Sequence, residues 1–174
     1  MTDNVYKQKH IKAHIEVAKA YSKLSHAKRL KVGAFLIRGD TPLAMGWNGR
    51  LPGEPNVCED EHNNTLPDVR HAEINALNKL RRSSETAQGA IMIQTHSTCP
   101  QCALDVIDSK LLGIVFVTPY RDLSGIYKLI DKGMTVYQYN ESMERFFEHR
   151  LVHPEVVQQI LVPSDQPLTF KNWR

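Results

Sequence analysis

The sequence predicts an α/β fold in three layers, a five-stranded mixed sheet covered by helices on both faces. Three observations carry this expectation. Short continuous apolar runs recur, such as Val32-Gly33-Ala34-Phe35-Leu36-Ile37 and Gly113-Ile114-Val115-Phe116-Val117, as in strands buried on both sides. Between them lie stretches with apolar residues at helical spacing. The order is helix, hairpin, helix, strand, helix, strand, helix, strand, which asks for a sheet whose last strands are parallel and joined through covering helices.

Each element has its own signal. From about Tyr6 to Leu24, Ile11, Ile15, Ala18 and Tyr21 share one helical face. Lys23 to Lys31 is basic and polar and reads as a connection. The strand at 32–37 turns through Gly39-Asp40-Thr41-Pro42 into a hairpin partner, Leu43 to Trp47. From Asn48 to Pro67 no period is visible, and a loop this long in a small domain is more often functional or mobile than inert. Helical spacing returns with Ile74, Leu77 and Leu80, with Asp68 after Pro67 as an N-cap candidate. Ala90 to Thr95 is a third strand, Pro100 to Lys110 a short helix, and 113–117 a fourth strand. A helix from Leu123 to Lys132 and a fifth strand from Met134 to Gln138 follow.

These elements assign residues 1–140 to one domain. Residues 141–174 read as a tail, helical over 142–151 and 154–161 and extended from Pro163. It would pack on the domain or on a neighbouring subunit. The 174 residues suffice for one domain with a full core and not for two.

Composition excludes several classes. Hydrophobic content of 41% and charged content of 24% are those of a globular protein, and no apolar run reaches membrane-spanning length. Met1 to His10 has no apolar core for a secretory signal, so a cytoplasmic location is expected. A net charge of +3 is too mild for a nucleic-acid binder and suits a protein that handles small anions in a pocket. Three cysteines, two of them in Cys99-Pro100-Gln101-Cys102, speak against a disulfide framework.

The chemistry concentrates in two short pieces. Cys99 falls at the N-cap of its helix, with Pro100 at the first helical position and Cys102 in the first turn. Both sulfurs then sit at the positive end of the helix dipole, which favours thiolates. A lone CxxC serves either a redox pair or a metal. A third ligand would decide, and His71-Ala72-Glu73 offers an imidazole with a carboxylate two residues on. Two residues apart on a regular helix these side chains diverge, so both reach one site only if His71 stands at the helix start. Three protein ligands with an open fourth position is the catalytic zinc pattern.

These residues resemble the zinc-dependent cytidine deaminase superfamily, whose signature is a histidine and glutamate followed by CxxC. More narrowly, the chain resembles the deoxycytidylate (dCMP) deaminases. The matching pieces are Lys31-Val32-Gly33-Ala34, Gly46-Trp47-Asn48-Gly49, His71-Ala72-Glu73-Ile74-Asn75-Ala76, Cys99 with Cys102, and Tyr120. The match covers roughly Ile11 to Tyr139. Thr98 stands where the family usually has proline, and the proline follows as Pro100. Ala27 and Lys28 replace cysteines that longer members use for a second zinc, so one zinc per chain is expected.

The resemblance implies a cytidine-deaminase-like fold and hydrolytic deamination of dCMP to dUMP and ammonia. Water is activated on a zinc held by His71, Cys99 and Cys102, and Glu73 shuttles the proton. The amide of Ala72 and the carbonyl of Thr98 would hold the base, Asn48 the sugar 3′-hydroxyl, and Tyr120 base and sugar. Arg121, then Lys31 and Arg82, are the cation candidates for the 5′-phosphate. The resemblance also implies a homo-oligomer, a hexamer by preference, activated by dCTP and inhibited by dTTP. The loop holding Gly53, Asn56 and Glu59 would take the effector, with Mg2+ beside its triphosphate. The competing expectations are a deaminase of dCTP, 5-modified dCMP, tRNA or single-stranded nucleic acid, and a non-catalytic zinc-stabilised module.

Overall fold

The structure, a computed structural model, describes residues 4–153 and 156–173. In chain order it holds β1 (Asn4–Tyr6), α1 (Gln8–Ser22), β2 (Gly33–Arg38), β3 (Thr41–Trp47), α2 (Ala72–Leu80), β4 (Ile91–His96) and α3 (Pro100–Asp108). Then come β5 (Gly113–Thr118), α4 (Ser124–Asp131), β6 (Thr135–Asn140), β7 (Arg145–His153), β8 (Val156–Val162) and β9 (Leu168–Phe170). The main sheet runs β3-β2-β4-β5-β6-β7-β8, and β1 pairs with β9 in a separate two-stranded sheet. The β4–β5 and β5–β6 pairs are parallel and the others antiparallel.

The three layers follow from alternation along the strands. On one face Leu36, Met92, Ile114, Phe116 and Val136 meet α2, α3 and α4 through Ala76, Leu77, Val106 and Leu129. On the other, Phe35, Ile37, Ile93 and Val115 meet Ile11, Ile15 and Ala18 of α1, with Phe146 and Phe170 extending that core. Helix α1 is also pinned at its start, where Gln8 Nε2 donates to the carbonyls of Pro163 and Gln166, both at 2.7 Å.

The sheet has seven strands rather than five. Residues read from sequence as helices over 142–151 and 154–161 form β7 and β8 instead; of the second range, 154 and 155 lie outside the described residues. The physical reason is the edge of β6. Tyr137 and Val136 are buried there, and β7 supplies the backbone partners that a buried strand edge requires. Sequence spacing allowed a helix, but Phe146-Phe147 and Val156-Val157 carry the aromatic and β-branched side chains that pack well on a pleated surface.

Candidate active site

The order of the sheet brings the N-termini of α2 and α3 together beside the C-terminal end of β4. Helix α2 begins at Ala72 because the chain before it is held extended. Gly49 and Arg70 exchange both backbone hydrogen bonds, at 3.0 and 2.9 Å. His71 is therefore the N-cap, with φ −71° and ψ 158°. Asp68, the N-cap candidate from sequence, instead accepts a hydrogen bond from Arg50 Nε at 2.8 Å. Asn75 in the first turn donates to the Trp47 carbonyl at 2.8 Å and ties α2 to the end of β3. Gly46 makes that packing possible, since a Cβ there would lie 2.3 Å from the Ala72 carbonyl oxygen.

Cys99 is the N-cap of α3, with φ −74° and ψ 162°, and its sulfur accepts from the Cys102 backbone N–H. His71 Nδ1 lies 3.3 Å from Cys99 Sγ and 3.2 Å from Cys102 Sγ. Zinc with ordinary bond lengths and tetrahedral angles would set a nitrogen and a sulfur about 3.6 Å apart. The three donors thus fit a single metal ion, and no fourth protein ligand joins them among the described residues. The imidazole between the sulfurs decides the CxxC toward metal rather than redox use. The hydrogen bond from Cys102 draws the Cys99 thiol down to about 4, His71 adds to this, and Cys102 is correspondingly pushed up.

Glu73 sits one residue inside α2 and is buried at 3% exposure. Burial pushes its carboxyl up to about 7, against the pull of His71. It lines a cavity together with His71, Cys99, Asn48, His96 and Tyr120. No second group of metal-ligating side chains occurs among the described residues. Cys58 is instead packed with Ala27, Val69 and Leu66 in a small apolar cluster.

The sequence pattern of the cytidine and deoxycytidylate deaminase zinc-binding region matches residues 7–118. The chain belongs to this family. Its fold superposes with a TM-score of 0.72 on the dCMP deaminase of the cyanophage S-TIM5 in complex with dCMP and dUMP. The two are 38% identical over 73% of this chain and 94% of that one. The apo form of the same cyanophage enzyme gives 31% identity and a TM-score of 0.66, over 75% of this chain and 97% of that one. ComE operon protein 2 of Bacillus subtilis (strain 168) is 29% identical over 119 residues, which is 66% of this chain. The chain spans 62% of the length of that relative.

Most residues expected from sequence converge and some do not. Ala72, at the first helical position with no intrahelical partner for its N–H, lines the cavity, as do Asn48 and Tyr120. The Asn48 amide is engaged on both sides: Oδ1 accepts from the Val32 N–H and Nδ2 donates to the Leu30 carbonyl, each at 2.8 Å. Arg121 borders an adjoining depression, with its guanidinium 5.7 Å from the Tyr120 ring. Arg82 follows the last turn of α2, a helix length of about 13 Å from His71, and Lys31 is exposed outside the cavity.

Thr98 is fully buried rather than lining the cavity. Its hydroxyl receives Gln94 Nε2 at 2.6 Å, and its carbonyl faces Gly125, where a Cβ would stand 2.3 Å away. Ser97 lines the cavity in its place, its hydroxyl accepting from the Tyr120 N–H at 2.7 Å. Arg29 also borders both the cavity and the adjoining depression, though the basic stretch 23–31 reads from sequence as a mere connection. Glu59 is turned inward. Its carboxylate accepts from the Lys28 and Arg29 backbone N–H groups at 2.9 and 3.2 Å, whereas Gly53 and Asn56 stand exposed on the same loop. Among the described residues no helix is long and apolar enough to cross a membrane.

Proposed function

We propose that the protein catalyses hydrolytic deamination of dCMP to dUMP and ammonia. The observation that carries this reading is the buried Glu73 carboxyl beside the His71, Cys99 and Cys102 donor set, lining one cavity with Asn48 and Tyr120. The family and the likeness to the cyanophage enzyme support the substrate.

His71, Cys99 and Cys102 would hold one zinc, which when bound acts as a Lewis acid and brings the pKa of water toward neutrality. The chain's own residues then do the following. Glu73 takes one proton from the attacking water and passes it to ring N3; it then takes the remaining proton from the new C4 hydroxyl and delivers it to the departing amine as the C4–N bond breaks and the C4 carbonyl forms. A carboxyl pushed up to about 7 by burial works in both directions near neutral pH. The free N–H of Ala72 donates to the base carbonyl. Ser97, which lines the cavity where Thr98 does not, borders the exocyclic amine. Asn48, held rigid by Leu30 and Val32, faces the sugar 3′-hydroxyl, and Tyr120 closes the cavity beside base and sugar. Arg29 and Arg121 at the mouth supply charge for the 5′-phosphate.

The catalytic unit in this reading is residues 1–140, with 141–174 added to it. Activation by dCTP and inhibition by dTTP, with Mg2+ beside the triphosphate, would use the exposed Gly53 and Asn56, while Glu59 shapes the loop that carries Arg29. Assembly into a hexamer and a cytoplasmic location rest on the sequence alone.

The test is turnover by the zinc-loaded protein, followed by the ultraviolet change on deamination. The substrates are dCMP, dCTP, deoxycytidine, cytosine and a tRNA anticodon stem. The reading expects dCMP to be preferred, and zinc-loaded protein inert toward dCMP would overturn it.

A further inference from the structure

His96 ends β4 and lines the cavity beside Glu73, Asn48 and Tyr120, yet none of the roles above uses it. Its protonation state can be read from its neighbour. Thr95 Oγ1 lies 3.1 Å from His96 Nδ1. The same oxygen accepts the Gly33 backbone N–H at 3.1 Å. Thr95 is buried at 7% exposure, so its single hydroxyl proton needs an acceptor within the protein. If His96 carried its proton on Nδ1, Thr95 would accept twice and its own proton would have no partner. If Nδ1 accepts from Thr95, every group is satisfied. The imidazole is then neutral with its proton on Nε2. Burial works in the same direction, since it disfavours the charged ring.

The Nε2–H is thereby a donor that cannot accept. No protein acceptor pairs with it among the described hydrogen bonds, and its ring borders the cavity. Its place in the sheet gives the half of the ligand that it meets. Ala34 is paired with Gln94, and Gly33 reaches Thr95. His96 is therefore level with Val32, whose N–H and carbonyl are bonded to the Asn48 side chain and backbone. This places His96 on the wall of the cavity that carries Asn48. Arg29, from the connection just before Val32, borders the same cavity.

We propose that His96, fixed by Thr95 as the neutral Nε2–H tautomer, is a specificity-determining residue that donates to an oxygen of the substrate's 5′-phosphate. This deepens the reading of the same site as a deoxynucleotide monophosphate pocket and rests on it. A neutral donor adds a directed hydrogen bond to the anion where Arg29 and Arg121 supply the charge. It also separates a phosphorylated substrate from a nucleoside without placing another cation near the metal ligands.

Two measurements test it. Long-range proton–nitrogen NMR of the zinc-loaded protein, labelled at histidine nitrogen, reads the tautomer without any turnover. The expected result is a protonated Nε2 and a bare Nδ1 on His96, with the Nε2–H resonance moved by dUMP and unmoved by deoxyuridine. A proton on Nδ1, or an equal response to both compounds, overturns the proposal. The second is kinetic. His96→Phe keeps the ring and removes the donor, and His96→Gln keeps a donor. His96→Phe should lower kcat/KM for dCMP at least tenfold, as loss of a hydrogen bond to a charged acceptor does, and leave deoxycytidine within about twofold. His96→Gln should restore part of the loss. An equal loss on both substrates overturns the phosphate assignment. Wild-type protein inert toward dCMP would instead sink the deaminase reading, and the tautomer would still be read.

Discussion

His71 and Cys99 stand at equivalent places in two different helices. Each is an N-cap with almost the same extended backbone, φ −71° and ψ 158° against φ −74° and ψ 162°, and their donor atoms meet at 3.3 Å. Two helix N-termini, each carrying partial positive charge, thus converge on one point. That field favours thiolate, which metal binding needs, and Cys99 is drawn toward it. It also places Glu73, in the first turn of α2, beside the metal ligands without making it one.

The role of Glu73 is separable from that of the ligands. Glu73→Gln should retain one zinc per chain by elemental analysis and lose dCMP turnover by at least about a hundredfold, the scale of general acid–base catalysis. Cys99→Ala should lose both zinc and turnover. Near-normal rates in Glu73→Gln would remove Glu73 from its proton-transfer role.

Gly125 guards the geometry of Cys99 from outside the site. A Cβ at this position would lie 2.3 Å from the Thr98 oxygen and 2.7 Å from the Cys99 carbonyl carbon. Gly125→Ala should push α4 away from this peptide and cost about 1–3 kcal/mol, as overpacking does. Zinc affinity, measured by competition with a chromophoric chelator, should fall with it. Unchanged stability and affinity would show that α4 can give way freely.

Stability should fall in acid through His149. Burial pushes its pKa down to about 4 from the ordinary 6.5, and its Nε2 lies 3.2 Å from Gln138 Oε1 with Phe116 against the ring. The folded pKa is the lower one, so the unfolded chain binds the extra proton. This contribution is complete above pH 6.5, declines as pH falls toward about 4, and levels off below it. The slope should approach about 1.4 kcal/mol per pH unit in that window. Urea titrations across pH 4 to 7 should show it, and His149→Phe should flatten it.

Metal removal should soften the whole domain. The three ligands come from the ends of two helices, and a metal that binds only the folded state stabilises by mass action. At a hundredfold excess over its dissociation constant, zinc should add about 2.7 kcal/mol. Thermal unfolding with and without a strong chelator measures this. Identical midpoints would mean that zinc does not bind the folded state preferentially.

Much of the arrangement is legible in the residues themselves. The periodicities locate α1, the β2–β3 hairpin and the alternation from β4 to β6, because each of those elements buries an unambiguous face. The signature residues locate the metal ligands and Glu73, because that chemistry tolerates few substitutes. The demand that His71 open its helix also follows from sequence, since a residue and its neighbour two positions on diverge on a regular helix.

Tertiary structure decided the rest. Whether 145–153 and 156–162 are helix or strand depended on the open edge of β6, which no local spacing records, and backbone satisfaction there overrode the helical pattern. Asp68 lost the N-cap to His71 because Gly49, some twenty residues earlier, holds Arg70 extended. Thr98 and Ser97 exchanged places relative to expectation because Gly125 and Gln94 draw Thr98 inward. Arg29 gained its position through Glu59, which fixes its backbone from thirty residues away. Sequence by itself determined which chemistry this chain can hold. Folding determined which side chains face the cavity, because direction is set by contacts between elements far apart in the chain.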